Sequence, residues 1–576
     1  MSAPMRAALR LGSAWGLLMV LAAFCAAPTW GQAPDQEGFT RHLLKLNTEF
    51  AELLTFDADG DGLSDLVVIE ADRGHGRDTP HTLRVFRQHR QGFAPLAASV
   101  TELPRGVMLA GIGIFRNPND PSREKGQPGL VLLLPGEVRV WPWRGDHFDS
   151  GAALVLPVES IFPVAGQELQ QGLDWIQDLD EDGISEILVP GFERLTVLRQ
   201  DTGGALKVHA ILGIPSHTDL RHFIRRSVLS FGMPHIALAD VDGKGWLDVV
   251  VYLNGQLRVF LLDDSLPVGG LGASPGTVRP AAVEMDFQPP RPFDPKEPRD
   301  PPLLFVAAKD LNGDGAFDLV FSKSSASNSE IDSRTTVMVH FGRKPGSEEG
   351  KGGQRESGQP IAFSDKPDQV FPSAGLTLPF LMDGNNDRRT DLVMVRVEIG
   401  FWNVIKALIT RTVNAEAAYF PMTLDGRYAK EPQTEETYAV TFSLSRFGRQ
   451  PIAAFGDLNG DRLPDLLLSV GTDRIGIHWG RKQGMWNGDY DSELKDFMPL
   501  HRRRVRIIDL NNDRRDDLIF LYNRDDIRTM PTVGQSVVIQ LSRFGKEPPE
   551  GNKEGGKDSM AQAPARKIPG RKRDDS

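Results

Sequence analysis

One cysteine occurs in 576 residues, Cys25, and it lies in an N-terminal apolar stretch. Disulfides therefore cannot staple the body of the chain, and no thiolate is available there as nucleophile or metal ligand. Histidine is scarce too, with 12 residues. Only His217 and His222 fall close together within a long loop, and the zinc-protease pattern HExxH is missing. An excess of positive charge is also lacking: 66 Lys and Arg face 77 Asp and Glu, a net charge of −11. A general nucleic-acid binder needs a basic face to displace phosphate counterions, so nucleic acid is not an expected partner.

Long apolar runs are missing as well. The best one, Leu17 to Ala27, follows Arg6 and Arg10 and precedes small residues at Gly31 and Ala33. It is too short to span a bilayer comfortably, so residues 1–31 read as a signal peptide and the protein as exported, periplasmic or extracellular, with no membrane span. Lipidation at Cys25 is the alternative, and the bulky Phe24 before it argues against that. Without disulfides, an exported fold must rest on its core, on closure or on metal.

What the sequence has in quantity is acid, arranged in a repeated nine-residue frame. "DADGDGLSD" (Asp57 to Asp65) returns as "DLDEDGISE" (Asp178 to Glu186), "DVDGKGWLD" (Asp240 to Asp248) and "DLNGDGAFD" (Asp310 to Asp318). It returns again as "DGNNDRRTD" (Asp383 to Asp391), "DLNGDRLPD" (Asp457 to Asp465) and "DLNNDRRDD" (Asp509 to Asp517). A single copy would read as an ordinary Asp/Asn/Gly turn, but seven copies in register do not. Internal repeats at intervals of about 50 to 75 residues point to a propeller or solenoid.

Each frame is preceded by a short apolar segment and followed by a run rich in branched residues, such as "LVVIE", "VVVYL" and "LLLSV". Short apolar runs bounded by turn residues fit strands buried on both faces. A third such segment follows each pair: "LRVFRQ" at 83, "LTVLRQ" at 195, "LRVFLL" at 257, "TVMVHF" at 336, "NVIKALI" at 403, "IGIHWG" at 475 and "VVIQLS" at 537. A weaker fourth comes after it. The long interval between Asp57 and Asp178 hides an eighth unit, with "VMLAGIGIF", "GLVLLL" and "VRVWPW" but no acidic frame. The expectation is an all-β chain, a propeller of eight four-stranded blades over 38–545, with seven as the alternative if the degenerate unit fails to form. The last unit lacks a fourth strand, and "GFTRHLLKL" at 38 supplies it, so residues 39–46 should pair with 536–543 and close the ring.

The frame with its flanking strands resembles the FG-GAP or VCBS repeats of integrin alpha-chain β-propellers and of many bacterial exported proteins. The match covers nearly all of 38–545 and lies in the acidic half of the repeat, with "AAFGD" at 453 the one clear Phe-Gly segment. In related propellers metal-binding loops occupy one face and ligands meet loops on the other. Strand parity assigns to that other face "ADRGHGRDTPH" at 71, the stretch at 215 and the long one at 424.

Chemically the frame suits Ca²⁺, a hard cation that takes six to eight oxygens from alternate positions of a tight loop. In the first copy Asp57, Asp59 and Asp61 would point inward, Leu63 would offer its carbonyl and Asp65 would close the shell, with Gly60 and Gly62 curling the backbone. An EF-hand needs a Glu at position twelve and flanking helices, but position twelve is Val68 and the flanks read as strands. The corresponding ligands are Asp178, Asp180, Asp182 and Glu186; Asp310, Asn312, Asp314 and Asp318; Asp383, Asn385, Asp387 and Asp391; Asp457, Asn459, Asp461 and Asp465; and Asp509, Asn511, Asp513 and Asp517. The last three loops carry Arg388, Arg462 and Arg514 where position six was glycine. In the loop at Asp240, Lys244 stands at position five, so Asp240, Asp242 and Asp248 are expected to be partly neutralised by an ammonium and that site to be weak or empty.

The Pro-rich stretch 263–302 and the stretch 343–360 read as solvated insertions, and 546–576, mixed in charge, as a disordered tail. For function, the reading is a binding or adhesion scaffold for a protein or glycan, since rigid scaffolds commonly present recognition loops. A polysaccharide lyase or hydrolase is one alternative, because scattered carboxylates can converge in space. A lectin is another: Trp141 and Trp143 share one strand face and could stack on sugars, although blade packing explains them equally. The tripeptide Arg144-Gly145-Asp146 carries no weight.

Overall fold

The computed structural model describes residues 38–545, except 72–80, 117–125, 163–173, 215–216, 224–225, 233, 254, 265–277, 288–302, 326–333, 345–360, 398–411, 442–452, 471–473, 483–484, 498, 500–503, 524–525 and 527–533. The stretches expected to be signal peptide and tail, and most of both insertions, lie outside the described residues.

Eight four-stranded antiparallel sheets follow one another around a ring. Blade 1 comprises Glu49–Phe56, Asp65–Ala71, His81–Phe86 and Ser99–Glu102, and blade 2, the degenerate unit, Leu109–Phe115, Gln127–Leu134, Glu137–Pro142 and Leu154–Pro157. Blade 3 comprises Ile176–Gln177, Glu186–Gly191, Arg194–Gln200 and Leu206–Leu212, and blade 4 His235–Ala239, Asp248–Leu253, Gln256–Phe260 and Val283–Asp286. Blade 5 is formed by Leu304–Lys309, Asp318–Ser325, Arg334–His340 and Gln369–Ala374, and blade 6 by Leu376–Met382, Asp391–Val397, Thr412–Phe420 and Thr434–Thr441. Blade 7 is Ala453–Gly456, Asp465–Ser469, Ile475–His478 and Ser492–Leu494. Blade 8 takes Val505–Ile508, Asp517–Leu521 and Ser536–Ser542 from the C-terminal end and Phe39–Lys45 from the N-terminal end.

Closure occurs in the expected register, with Phe39 opposite Ser542 and Lys45 opposite Ser536. Every second strand is a branched apolar run because both of its faces are covered: all residues of Asp65–Ala71, Asp465–Ser469 and Asp517–Leu521 are buried. The apolar side chains sort into eight clusters, each shared by two neighbouring blades. The cluster between blades 8 and 1 includes Leu44 of the closing strand. No helix among the described residues is long and apolar enough to cross a membrane.

Three sequence expectations need correction. The third strand of blade 6 is Thr412–Phe420, whereas "NVIKALI" at 403 lies outside the described residues. That strand buries Ala415, Ala417 and Tyr419 on alternate positions, and small alanines gave it little apolar weight. The fourth strand of blade 4, Val283–Asp286, sits inside the Pro-rich stretch read as an insertion. In blade 1 the sequence points to "GFAPLAASV" at 92 as the fourth-strand stretch, but the strand is Ser99–Glu102, while Gly92–Phe93 pairs with Gln88–His89 in a small separate hairpin.

Candidate metal centres on the loop face

The frames are the connections from first to second strand, so all seven fall on one face of the ring, the loop face. Number each frame from one at its leading aspartate. Position four takes a left-handed backbone in every copy, at Gly60, Glu181, Gly243, Gly313, Asn386, Gly460 and Asn512, with φ from 55° to 80°. Position six does so as well, at Gly62, Gly183, Gly245 and Gly315 but also at Arg388, Arg462 and Arg514, whose φ is 67–68°. The arginines therefore do not change the loop's conformation.

The aspartate at position one maintains that shape. Its carboxylate accepts the position-six amide in all seven frames, at 2.8–3.1 Å. The carboxylate at position five turns back to accept the position-seven amide, as Asp61 does from Leu63, Asp182 from Ile184, Asp314 from Ala316, Asp387 from Arg389, Asp461 from Leu463 and Asp513 from Arg515. At position three, Asn312, Asn385 and Asn459 each donate to the position-five carboxylate. Asn511 accepts the amide of Asp513 through its side-chain oxygen.

Position nine has a role that spacing alone did not show. One oxygen of Asp65, Glu186, Asp248, Asp318, Asp391, Asp465 and Asp517 accepts the position-two amide of its own frame at 2.8–3.0 Å. In six blades the other oxygen accepts an amide at the end of the third strand or just beyond it: Gln88, Leu262, Gly342, Met422, Gly480 or Ser542. The carboxylate thus joins the loop to the far side of the blade. Burial pushes Asp248, Asp318 and Asp517 up to about 7 and Glu186 and Asp465 up to about 8, against the amides, which pull the other way. Asp65 and Asp391 are raised for the same reason. A cation beside these groups would favour their charged form.

The loops also hold neighbouring blades together. In blades 1, 4 and 6 the position-eight amide donates to the position-two carbonyl of the preceding blade: Ser64 to Leu510, Leu247 to Leu179 and Thr390 to Leu311. Ser185 reaches Ile114 of blade 2 in the same way. Blade 2 has no frame, so the carbonyl of Ala58 in blade 1 takes its hydrogen bond from the Trp143 indole, at 2.7 Å. Trp143 packs edge-on against Phe56 and Phe148, and Trp141 lies in the same cluster. All six tryptophans among the described residues are buried, so Trp141 and Trp143 are core residues with no face left for a sugar.

The donor set fits a hard cation in part. Single oxygens of Asp57, Asp59 and Asp61, of Asp178, Asp180 and Glu186, and of Asp240, Asp242 and Asp248 lie within 4.8 Å of one another. Asp178 Oδ1 is buried without a hydrogen-bond partner in the loop, an oxygen whose need a cation would meet. Several frames, however, are reached by a cation of the chain itself. Lys244 Nζ lies 2.7 Å from Asp242, as the sequence led us to expect. In blade 3, Arg199 enters from the third strand, pairs with Asp180, lies 3.5 Å from Glu186 and rests over the Trp246 ring. Arg87 occupies the equivalent place in blade 1 and reaches Asp59 at 3.3 Å. The signal was present in the shared "RQ" of "LRVFRQ" and "LTVLRQ". Arg389 and Arg515, at position seven, pair with Asp387 and Asp513. The frames of blades 5 and 7 have neither arginine, with Ala316 and Leu463 at position seven and Phe341 and Trp479 at the third-strand position.

One loop falls on the opposite side from its expected place. The connection 421–433 joins third to fourth strand, and its Gly426 backbone approaches Asn312, so it belongs to the loop face. The stretch at 215 is a hairpin, His217–Phe223 with Arg226–Gly232, joining blades 3 and 4 on the opposite face. The loop at 71 and the segment 442–452 lie outside the described residues, apart from Ala71 itself.

No protein-family model and no curated protein matches the sequence. Among solved structures, the chain is similar to the V. cholerae biofilm matrix protein Bap1, at 11% identity and TM-score 0.29 over 77% of this chain and 89% of that one. It is similar to an Agrocybe aegerita lectin with specific recognition of non-reducing terminal N-acetylglucosamine, at 15% identity and TM-score 0.34 over 80% and 93%. BBS1N, in a complex with ARL6DN, gives 10% identity and TM-score 0.29 over 88% and 98%. Likeness at this level carries no argument about function.

Proposed function

We propose that the chain is an exported propeller of the FG-GAP or VCBS type, stabilised by calcium, which serves as a binding or adhesion scaffold for a protein or glycan. The supporting observation is the common shape of the seven frames: the same two left-handed positions and the same position-one grip, whether position six is glycine or arginine. Conserving a strained backbone in this way keeps the acidic side chains grouped when the local sequence would relax it. Calcium would be held by the groups at positions one, three, five and nine, most readily in blades 5 and 7. There Asp310, Asn312, Asp314 and Asp318, and Asp457, Asn459, Asp461 and Asp465, face neither arginine. When bound, the ion supplies a charge that joins carboxylates which otherwise repel.

Because the frames of blades 1, 3, 4, 6 and 8 tie each of those blades to the one before, ion binding there would stiffen the seams and hold the surrounding loops in place for a partner. Calorimetric titration of the purified, chelator-treated chain tests the metal reading. More than one calcium per chain is expected, with the count reduced by Asp461→Ala, and no uptake would end it. Glycan arrays and capture of labelled extracellular matrix proteins test the scaffold reading. Turnover of a polysaccharide that is lost on changing a single carboxylate would move the assignment to an enzyme.

A further inference from the structure

Arginine at position six occurs on three consecutive blades, at Arg388, Arg462 and Arg514, while the other four frames have glycine there. Residues with a Cβ seldom adopt this backbone, so the arginines are held in a strained conformation that glycine would relieve. Their main chains serve the loop through the amide to position one. The side chains do something else, since all three are exposed. Strain retained at a position where the side chain has no structural task is a signature of function.

Two of these arginines meet across the seam between blades 7 and 8. The backbone at Gly460 lies against Arg514 and Arg515, and the two frames are cross-tied, with the Asp457 amide donating to Asp516 and the Asp516 amide to the Asp457 carbonyl. The open cleft between the loops is lined by Arg462, Lys482, Arg514 and Arg515 on one hand and by Asp461 and Asp513 on the other. Asp513 is already paired with Arg515 at 2.6 Å. Among the described residues, the side chains of Arg462, Lys482 and Arg514 make no hydrogen bond or ion pair, so three cations face the solvent there. Arg388, at the same position of blade 6, continues the series one blade further round.

We propose that this cleft binds the acidic groups of an anionic polysaccharide, with Arg462, Arg514 and Lys482 as its contacts. Guanidinium groups pair with carboxylate and sulfate in a two-pronged geometry, which favours arginine over lysine at such sites. A cation repeated once per blade suits a chain that carries a charge on each repeat. Among the described residues the cleft presents no exposed aromatic ring, and Phe544 in its wall is buried, so the aromatic platform of a single-strand binder is lacking there. The proposal rests on the scaffold reading for its context but not on calcium, because the uncompensated cations belong to the chain.

The test is binding of the full chain to polygalacturonate, which carries carboxylates, and to heparin, which also carries sulfates, measured in millimolar calcium and again in chelator. Neutral dextran and a single-stranded oligonucleotide are the controls. The expected result is binding to one or both acidic polysaccharides that weakens as salt rises and falls at least about tenfold in R462G/R514G. That variant restores the residue of the sister loops, so its melting temperature should be unchanged or higher and loss of fold cannot explain the result. Arg105→Gln, on the opposite face, should leave binding intact. Full binding in R462G/R514G, no binding to either acidic polysaccharide, or tighter binding to the oligonucleotide would each overturn the assignment. Binding that disappears only in chelator, with wild type and variant equal in calcium, would place the anion on the metal loops and also refute it.

Discussion

Blade 2 and blade 7 make the instructive pair. Blade 7 keeps an acidic frame between its first two strands, which pair over four residues, Ala453 to Gly456. Blade 2 has lost the frame, yet its first two strands pair over seven, Leu109 to Phe115. The acidic loop is therefore not what makes a blade. What blade 2 lacks is a means of gripping its neighbours, and it has substitutes: the Trp143 indole toward blade 1, and toward blade 3 a strand so close that a Cβ on Gly113 would meet Ile176 at 2.7 Å. Loops and aromatic packing are two solutions to the same problem, the seam between wedges.

The two solutions should differ in their response to calcium, and chelation gives the largest effect. At about 100 times Kd, each independent site contributes roughly 2.7 kcal/mol, so removing several ions should lower the melting temperature by many degrees. A melting curve that is the same in millimolar calcium and in chelator would leave the carboxylates as turn residues. Next comes the position-nine bridge. Asp465→Ala orphans the amides of Leu458 and Gly480 and should cost about 3–5 kcal/mol in urea unfolding, much of it persisting in chelator because the hydrogen bonds are the protein's own.

The seam between blades 3 and 4 adds a pH test. His209 stacks on Trp246 at 5.2 Å, and burial, with Arg199 and Arg279 nearby, pushes its pKa down to about 4. The ring is neutral in the fold and the unfolded chain takes the proton first. Its stabilisation is thus complete above about pH 6.5 and lost as pH falls toward 4, some 3 kcal/mol in all. His209→Phe should flatten that limb of the stability profile. Trp143→Phe should cost about 1–3 kcal/mol by leaving the Ala58 carbonyl unpaired, with the same loss in calcium and in chelator. The smallest effect is reserved for Asp242→Ala, whose loop already holds Lys244, whereas Asp314→Ala should lose a calcium-linked share of stability.

The strands of the ring were legible where burial is two-sided. "LVVIE" and "LLLSV" have no polar phase, and the seven frames marked where each such strand starts. Legibility failed where a strand is short or lined with small residues: Val283–Asp286 buries only Val283, and Thr412–Phe420 packs through alanines. In the loops, spacing revealed which groups gather but not what else they hold. Asp465 reads as one acid among three in its frame, although its second oxygen is bonded to Gly480, fifteen residues along the chain. For Arg199 the repeated "RQ" marked a recurring position but not its partner: it lies on the third strand and Asp180 in the frame, and only the fold brings the two together.

The strand Phe39–Lys45 is made long before its partner Ser536–Ser542, with the seven other blades between them. During synthesis the early segment must wait, unpaired, for the blades between the two strands to appear, and the apolar side of blade 1 that Leu44 finally covers waits with it. Closure at the suture is the contact of the greatest sequence separation the molecule offers, the kind whose loop-closure cost slows folding. Until it closes, the half-built ring displays an open sheet edge to its surroundings. Truncation that cuts into Phe39–Lys45 or into Ser536–Ser542 would act there alike, turning a circle into an arc.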